Sequence, residues 1–286
     1  MEKPLFPTGD KPEVAEVADW CECVALVEQG VDFKRGDLKS AIAQEDIASP
    51  EILEEQVWAE LIARAQIFGD RWPLVLETNR IRLRDDLSTD IVDLYRYLCL
   101  LGLGQAESDD RVLFEELVRE IIGSRIGPSA VRVGHPASEG ASRSFRERIS
   151  DYAARSGLKR LEIGAPPFSN DKDLGLDVVF WLPSSDGRGA DLHFLVQCAT
   201  GRNWDSKLDD INLKEWSSHL NWAVPPVRIF CVPNVIRLTE ERWIRTSSRA
   251  GWIVDRPRLI EFARNLEFDA TIRATVSARI EDLSAA

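Results

Sequence analysis

The chain has 286 residues, 44% hydrophobic and 29% charged, with a formal net charge of −12 at pH 7. That length allows one large domain or two ordinary ones, and the composition excludes a disordered chain. Apolar runs such as IVDLYRYLCLLGLG stop short of the roughly 20 residues that cross a bilayer, so no membrane span is expected.

The charge is unevenly spread. Residues 1–130 hold 14 Lys and Arg against 27 Asp and Glu, whereas residues 131–286 hold 22 against 21. An acidic front half repels nucleic acid and suits a protein partner, which leaves the back half as the face for a polyanion. The opening MEKPLFPTGDKPEV lacks the apolar core of a secretory signal. Five scattered cysteines, with only Cys21 and Cys23 close together and no second pair to complete a zinc site, predict free thiols in a reducing cytoplasm.

In chain order, PEVAEVADWCECVALVEQG has helical apolar spacing between Pro12 and Gly30. SPEILEEQVWAELIARAQIFG is a second helix, with Ser49 as N-cap and Pro50 in the first turn. WPLVLE reads as an edge strand or a loop. LSTDIVDLYRYLCLLGLG and DDRVLFEELVREIIGSRIG complete an all-helical, acidic N-terminal domain over 1–126, expected to bind a partner or to regulate. The Gly, Ser and Pro of 126–143 read as a connection to a second domain, 127–286.

From 144 the pattern changes. SFRERISDYAARSG predicts a helix and LKRLEIGAP a short strand. LGLDVVFWLP and ADLHFLVQCAT are apolar strands joined by SSDGRG, whose Asp-Gly is a hairpin signal. A helix over WDSKLDDINLKEWSSHLNW, stopped by Pro225-Pro226, leads to the strand VRIFCVPNVI. The helix TEERWIRTSSRAG, the strand GWIVD and the helix PRLIEFARNLEF follow. The expected fold is α/β, a mixed central sheet flanked by helices.

Two residues in this sheet invite chemistry. Asp177 interrupts the apolar run Leu176 and Val178-Val179-Phe180, and Gln197 follows Phe194-Leu195-Val196. A buried carboxylate needs a partner, and oxygen ligands delivered by neighbouring strands suit Mg²⁺. Residues 144–260 resemble the restriction-endonuclease-like, or PD-(D/E)XK, superfamily, in particular its Mrr-like branch with Gln in place of the second acid. The resemblance rests on GLDVVFW, FLVQCATGRNW and VRIFCVPNVI. It implies that Asp177, Gln197 and the backbone carbonyl of Cys198 hold Mg²⁺ or Mn²⁺. The lysine that the family carries two residues after the Gln is Ala199 here. The resemblance lets it migrate to the following helix, as Lys207 or Lys214, with Arg202 in the turn between.

A further acid is offered by Glu147, one position late against the family's Phe-Glu, or by Glu115. Glu162 and the loop Asp171–Asp173 are weaker candidates. His135, His193 and His219 do not cluster, and a role on the hairpin face is expected for His193. Trp204 could stack a base, and Arg237, Arg242, Arg245 and Arg249 could meet phosphates. The function implied is a Mg²⁺-dependent DNA nuclease, in bacterial defence by resemblance, dimeric if it cuts both strands as such enzymes do. The alternatives are a catalytically degenerate scaffold for protein or nucleic acid, and an RNA nuclease.

Overall fold

Helix start and stop signals place most elements where the sequence predicts them. The computed structural model describes residues 4–7, 12–27, 32–45, 47–104, 106–135, 144–158, 174–186 and 188–285. The first elements are α1 (Val14–Val27), β1 (Phe33–Lys34), α2 (Arg35–Ile42), α3 (Pro50–Phe68), β2 (Leu74–Glu77), β3 (Arg80–Leu83) and α4 (Thr89–Gly102). Next come α5 (Ser108–Ile126), β4 (Ala130–Arg132), α6 (Phe145–Arg155), β5 (Val178–Leu182) and β6 (Leu192–Cys198). The chain continues through α7 (Leu213–Trp216), β7 (Val227–Cys231), α8 (Glu240–Ala250), β8 (Trp252–Val254), α9 (Arg256–Ala263) and α10 (Ala270–Ala285).

These elements form two compact units. The first comprises Met1–Glu107, Pro233–Ile236 and Asp255–Ala286, and the second Ser108–Val232 and Arg237–Val254. The boundary expected near 126 therefore falls inside the second unit, which takes in α5.

The first unit is not all-helical. β1, β3 and β2 form an antiparallel sheet in that order, and Glu77 pairs with Arg80 across a two-residue Thr78-Asn79 turn. WPLVLE, read as an edge strand or a loop, contains β2 at the edge of this sheet, whereas β1 and β3, of two and four residues, are too short to show an alternating pattern and were not read. α10 lies beyond the last predicted element.

The second unit is built on a five-stranded sheet in the order β4-β5-β6-β7-β8. β4–β5 and β5–β6 are antiparallel, and β6–β7 and β7–β8 are parallel. Its first strand, β4, sits in the stretch read as a connection, whereas the predicted strand over 158–166 falls almost wholly outside the described residues, as do Glu162 and Asp171–Asp173. The long helix predicted after β6 does not form. A short turn of helix at Trp204–Lys207 and the one-turn α7 replace it, because Asn212 caps a new start, its Oδ1 accepting from the Lys214 and Glu215 N–H groups.

One face of the sheet presents Val179, Trp181 and Leu195 to a core with Ile149, Tyr152, Trp216 and Leu220. His193 shares it. The Tyr152 oxygen accepts from Trp222 Nε1 at 3.3 Å and lies 2.6 Å from His193 Nδ1. Burial lowers the His193 pKa below the ordinary 6.5 and so disfavours the ring's second proton. The unfolded chain therefore binds this proton more readily, so the stability His193 contributes is full above about pH 6.5 and is lost as pH falls through that value. We expect the stability gap between wild type and His193→Phe, measured by urea denaturation, to shrink from pH 7.5 to pH 5. A gap independent of pH would contradict the lowered pKa.

Candidate metal centre at the end of the central ladder

Asp177 stands at the entrance of β5. Its N–H donates to the Val196 carbonyl at 2.9 Å, although the ladder register pairs Val196 with Val178. Two residues thus oppose one, the pattern of a β-bulge, which re-aims a side chain where pairing ends. The Asp177 carbonyl accepts from the Val133 and Gly134 N–H groups, at 2.8 and 3.0 Å, on the β4 side. Its carboxylate caps the open end of the ladder, Oδ2 accepting from the Cys198 N–H at 2.7 Å.

Glu115, on the inner side of α5, reaches the same place. A Cβ on Gly134 would lie 2.5 Å from Glu115 Oε2 and 3.1 Å from Asp177 Oδ1, so the two carboxylates converge over a residue that has no side chain. Arg132 of β4 is buried beside them, its Nε 2.6 Å from Glu115 Oε2. Cys198 belongs to the same neighbourhood. Burial, with Cys231, Asp177 and Glu115 nearby, pushes its thiol well above the usual range, and burial with Asp177 raises Cys231 likewise. Both thiols are therefore protonated at neutral pH and are not nucleophiles.

Gln197 is buried and, by strand alternation, shares the face of Leu195 rather than that of Cys198. Its Nε2 donates to Asp210 Oδ2 at 2.9 Å, and Asp210 packs against Gly175, where a Cβ would meet its side chain at 2.7 Å. Asp177 thus sits between two groupings, Glu115 with Arg132 and Cys198, and Gln197 with Asp210. Arg132 and Asp210 were missed by the sequence reading. An arginine flanked by the valines of AVRV was the available signal for the first, because a buried guanidinium requires an acid.

The remaining candidates are more scattered. Lys207 ends the short turn that leads into Asp210, and its carbonyl accepts from the Asp210 N–H at 3.1 Å. Lys214 is exposed on α7, Arg202 is exposed, and the ring of Trp204 packs 6.3 Å from that of Phe230. Glu147 is exposed in the first turn of α6. Ala199 is fully buried. On α8, Arg245 pairs with Glu241 and Arg249 with Asp209.

Comparison with protein-family models, with curated proteins and with solved structures gives no match.

The carboxylate oxygens of Asp177 and Glu115, with one guanidinium, Arg132, on Glu115, fit a hard cation such as Mg²⁺. A second cluster does not. In the first unit, ligand atoms of Asp19, Glu22 and Cys99 lie within 4.8 Å of one another. Arg64 Nη1 is 2.5 Å from Asp19 and 2.9 Å from Glu22, and Arg256 Nη1 is 2.7 and 3.1 Å from the same carboxylates. Two guanidiniums already supply the positive charge there. Burial works to raise the Asp19 pKa, but Arg256 and Arg64 hold it below its ordinary value. This is a buried ion-pair core.

Gly134→Ala tests the convergence over Gly134. The added methyl collides with a carboxylate clamped by Arg132, so we expect a loss of about 1–3 kcal/mol in unfolding free energy, the usual cost of overpacking. An unchanged urea midpoint would place the carboxylates elsewhere.

Proposed function

We propose that the second unit is a Mg²⁺-dependent nuclease acting on DNA, built around Asp177. The observation that carries the reading is the convergence of Asp177 and Glu115 at the ladder end, on a frame that runs α5–β4–α6–β5–β6–α7–β7. Apart from α6, inserted between β4 and β5, this is the helix, strand, strand bearing Asp, strand bearing Gln, helix, strand order that the restriction-endonuclease-like resemblance implies, with α5 rather than α6 as its first helix. On this reading Glu115, not Glu147, is the further acid.

A bound Mg²⁺ would supply Lewis-acid polarisation of the phosphodiester. Asp177 would hold it through Oδ1, the oxygen not engaged by Cys198, with Glu115 as the other protein ligand; Gln197, on the opposite face and bonded to Asp210, lies outside that set. The Cys198 N–H fixes the Asp177 carboxylate in place through its bond to Oδ2. Lys207, next to the Asp210 segment, would stabilise charge developing on the phosphate. A second reading, a degenerate scaffold of the same fold, is favoured by one pair of observations. Arg132 neutralises Glu115 in place, and Ala199 occupies the position of the family's lysine.

Cleavage separates the two readings. With Mg²⁺ or Mn²⁺ the purified chain should nick plasmid DNA, and Asp177→Ala should lower the rate at least about 100-fold, the scale of losing one electrostatic stabiliser. An RNA substrate in parallel sets DNA against RNA. No cleavage of either with any divalent metal, together with indistinguishable wild type and variant in cells, would favour the scaffold.

A further inference from the structure

The first unit holds 16 Lys and Arg against 28 Asp and Glu, and so carries the whole of the chain's net charge of −12. Against that background, a cleft of about 630 Å³ is lined by Lys34, Arg35, Lys39 and Arg80, with Glu54 and Glu77 as its acids. Its volume is in the range of small-molecule sites. Lys34 and Lys39 are the only lysines among the described residues of this unit, and both face one cleft.

The four cations are not equivalent. Arg35 and Arg80 are braced by acids outside or at the rim. Arg35 Nε donates to Glu54 at 2.6 Å and its guanidinium lies 5.7 Å over the Trp58 ring, while Arg80 uses Nε on Glu77 and Nη1 on Asp32, at 2.7 and 2.6 Å. Those bonds fix each fork and leave Arg35 both terminal nitrogens and Arg80 its Nη2 for an anion. Lys34 and Lys39 are in no ion pair among the described residues, so their ammonium groups are available. The opposite wall is polar backbone and side chain, the Thr78-Asn79 turn, tied to α2 by the Arg35 N–H bond to the Asn79 carbonyl at 2.9 Å. Gly36, in the first turn of α2, has open space where a Cβ would sit, so a ligand can approach the backbone there.

We propose that this cleft binds a small phosphate-bearing ligand. Four cations against Glu54, Glu77 and the Asp32 that braces Arg80 leave it complementary to about one negative charge, and braced guanidinium forks with exposed ammonium groups are the donors that phosphate oxygens take. Every lining side chain is charged or polar, so recognition falls first on the phosphates and polar groups of the ligand, with the aliphatic stems of the Lys and Arg side chains as the apolar surface. The inference concerns the first unit alone and stands or falls independently of the nuclease reading.

Calorimetric titration of the full chain at low salt with pyrophosphate and with ADP tests it. Both should bind saturably, and Lys34→Glu/Lys39→Glu should weaken both at least tenfold while leaving the thermal unfolding midpoint in buffer alone unchanged, since both side chains are exposed. Equal affinities would mean that the phosphates suffice, and tighter binding of ADP would add its nucleoside to the recognised group. No saturable binding of either probe, or binding that the double variant retains in full, would overturn the proposal. Should the double variant fold poorly, Lys39→Gln alone is expected to weaken binding severalfold, and unchanged binding there would count equally against it.

Discussion

A carboxylate removed from water must find donors or a cation, and in the second unit Asp177 meets that requirement where the β5–β6 ladder stops. The bulge at Asp177 leaves the Cys198 N–H without its regular carbonyl, and the Asp177 side chain takes that carbonyl's place. The surroundings follow from this substitution. Gly134 must lack a side chain for Glu115 to come alongside, and Arg132 must be buried to offset the second acid. Two carboxylates over one glycine repel each other unless something positive lies near, and Arg132 supplies that charge for Glu115. A divalent ion would supply more.

The same electrostatic logic gives a different outcome in the first unit. There Asp19 and Glu22 face Arg64 and Arg256, and the opposing charges are matched side chain to side chain. Such an arrangement specifies packing, and Gly102 leaves space for it, since a Cβ there would meet Asp19 and Arg256. The two clusters differ in their balance of charge: the buried core has two guanidiniums facing Asp19 and Glu22, whereas Asp177 and Glu115 converge beside one, Arg132. Charge also divides the chain on a larger scale, because the second unit holds 20 Lys and Arg against 20 Asp and Glu. A polyanion meets no net repulsion from the unit that carries Asp177.

Much of this was legible in the residues. The apolar runs around Asp177 and Gln197 marked β5 and β6, and the Pro and Gly punctuation bounded α1, α3 and α8. Some short elements, β1, β3 and β4 among them, were not legible, although the three-residue β8 was. β4 is three residues in a Gly- and Pro-rich stretch, and missing it shifted the first helix of the sheet from α5 to α6 and the boundary from about 107 to 126. Asp177 and Gln197 were expected on one face, because alternation is regular until a bulge breaks it. No local pattern announces a bulge without a glycine. The Arg132–Glu115 pair spans elements and leaves no spacing to read. Glu115 itself was named from LFEEL as an alternative; it is buried beside Asp177 and Arg132, whereas Glu147 is exposed.

The most direct test of the account is to look for the ion. Crystals grown with Mn²⁺ and measured at its absorption edge should show an anomalous peak about 2.1–2.2 Å from Asp177 Oδ1, the distance expected for oxygen ligands of such ions, with Glu115 as the second protein ligand. A clean map with no peak at Asp177, and Arg132 still on Glu115, would contradict a metal centre there and leave the ladder end as a structural ion pair.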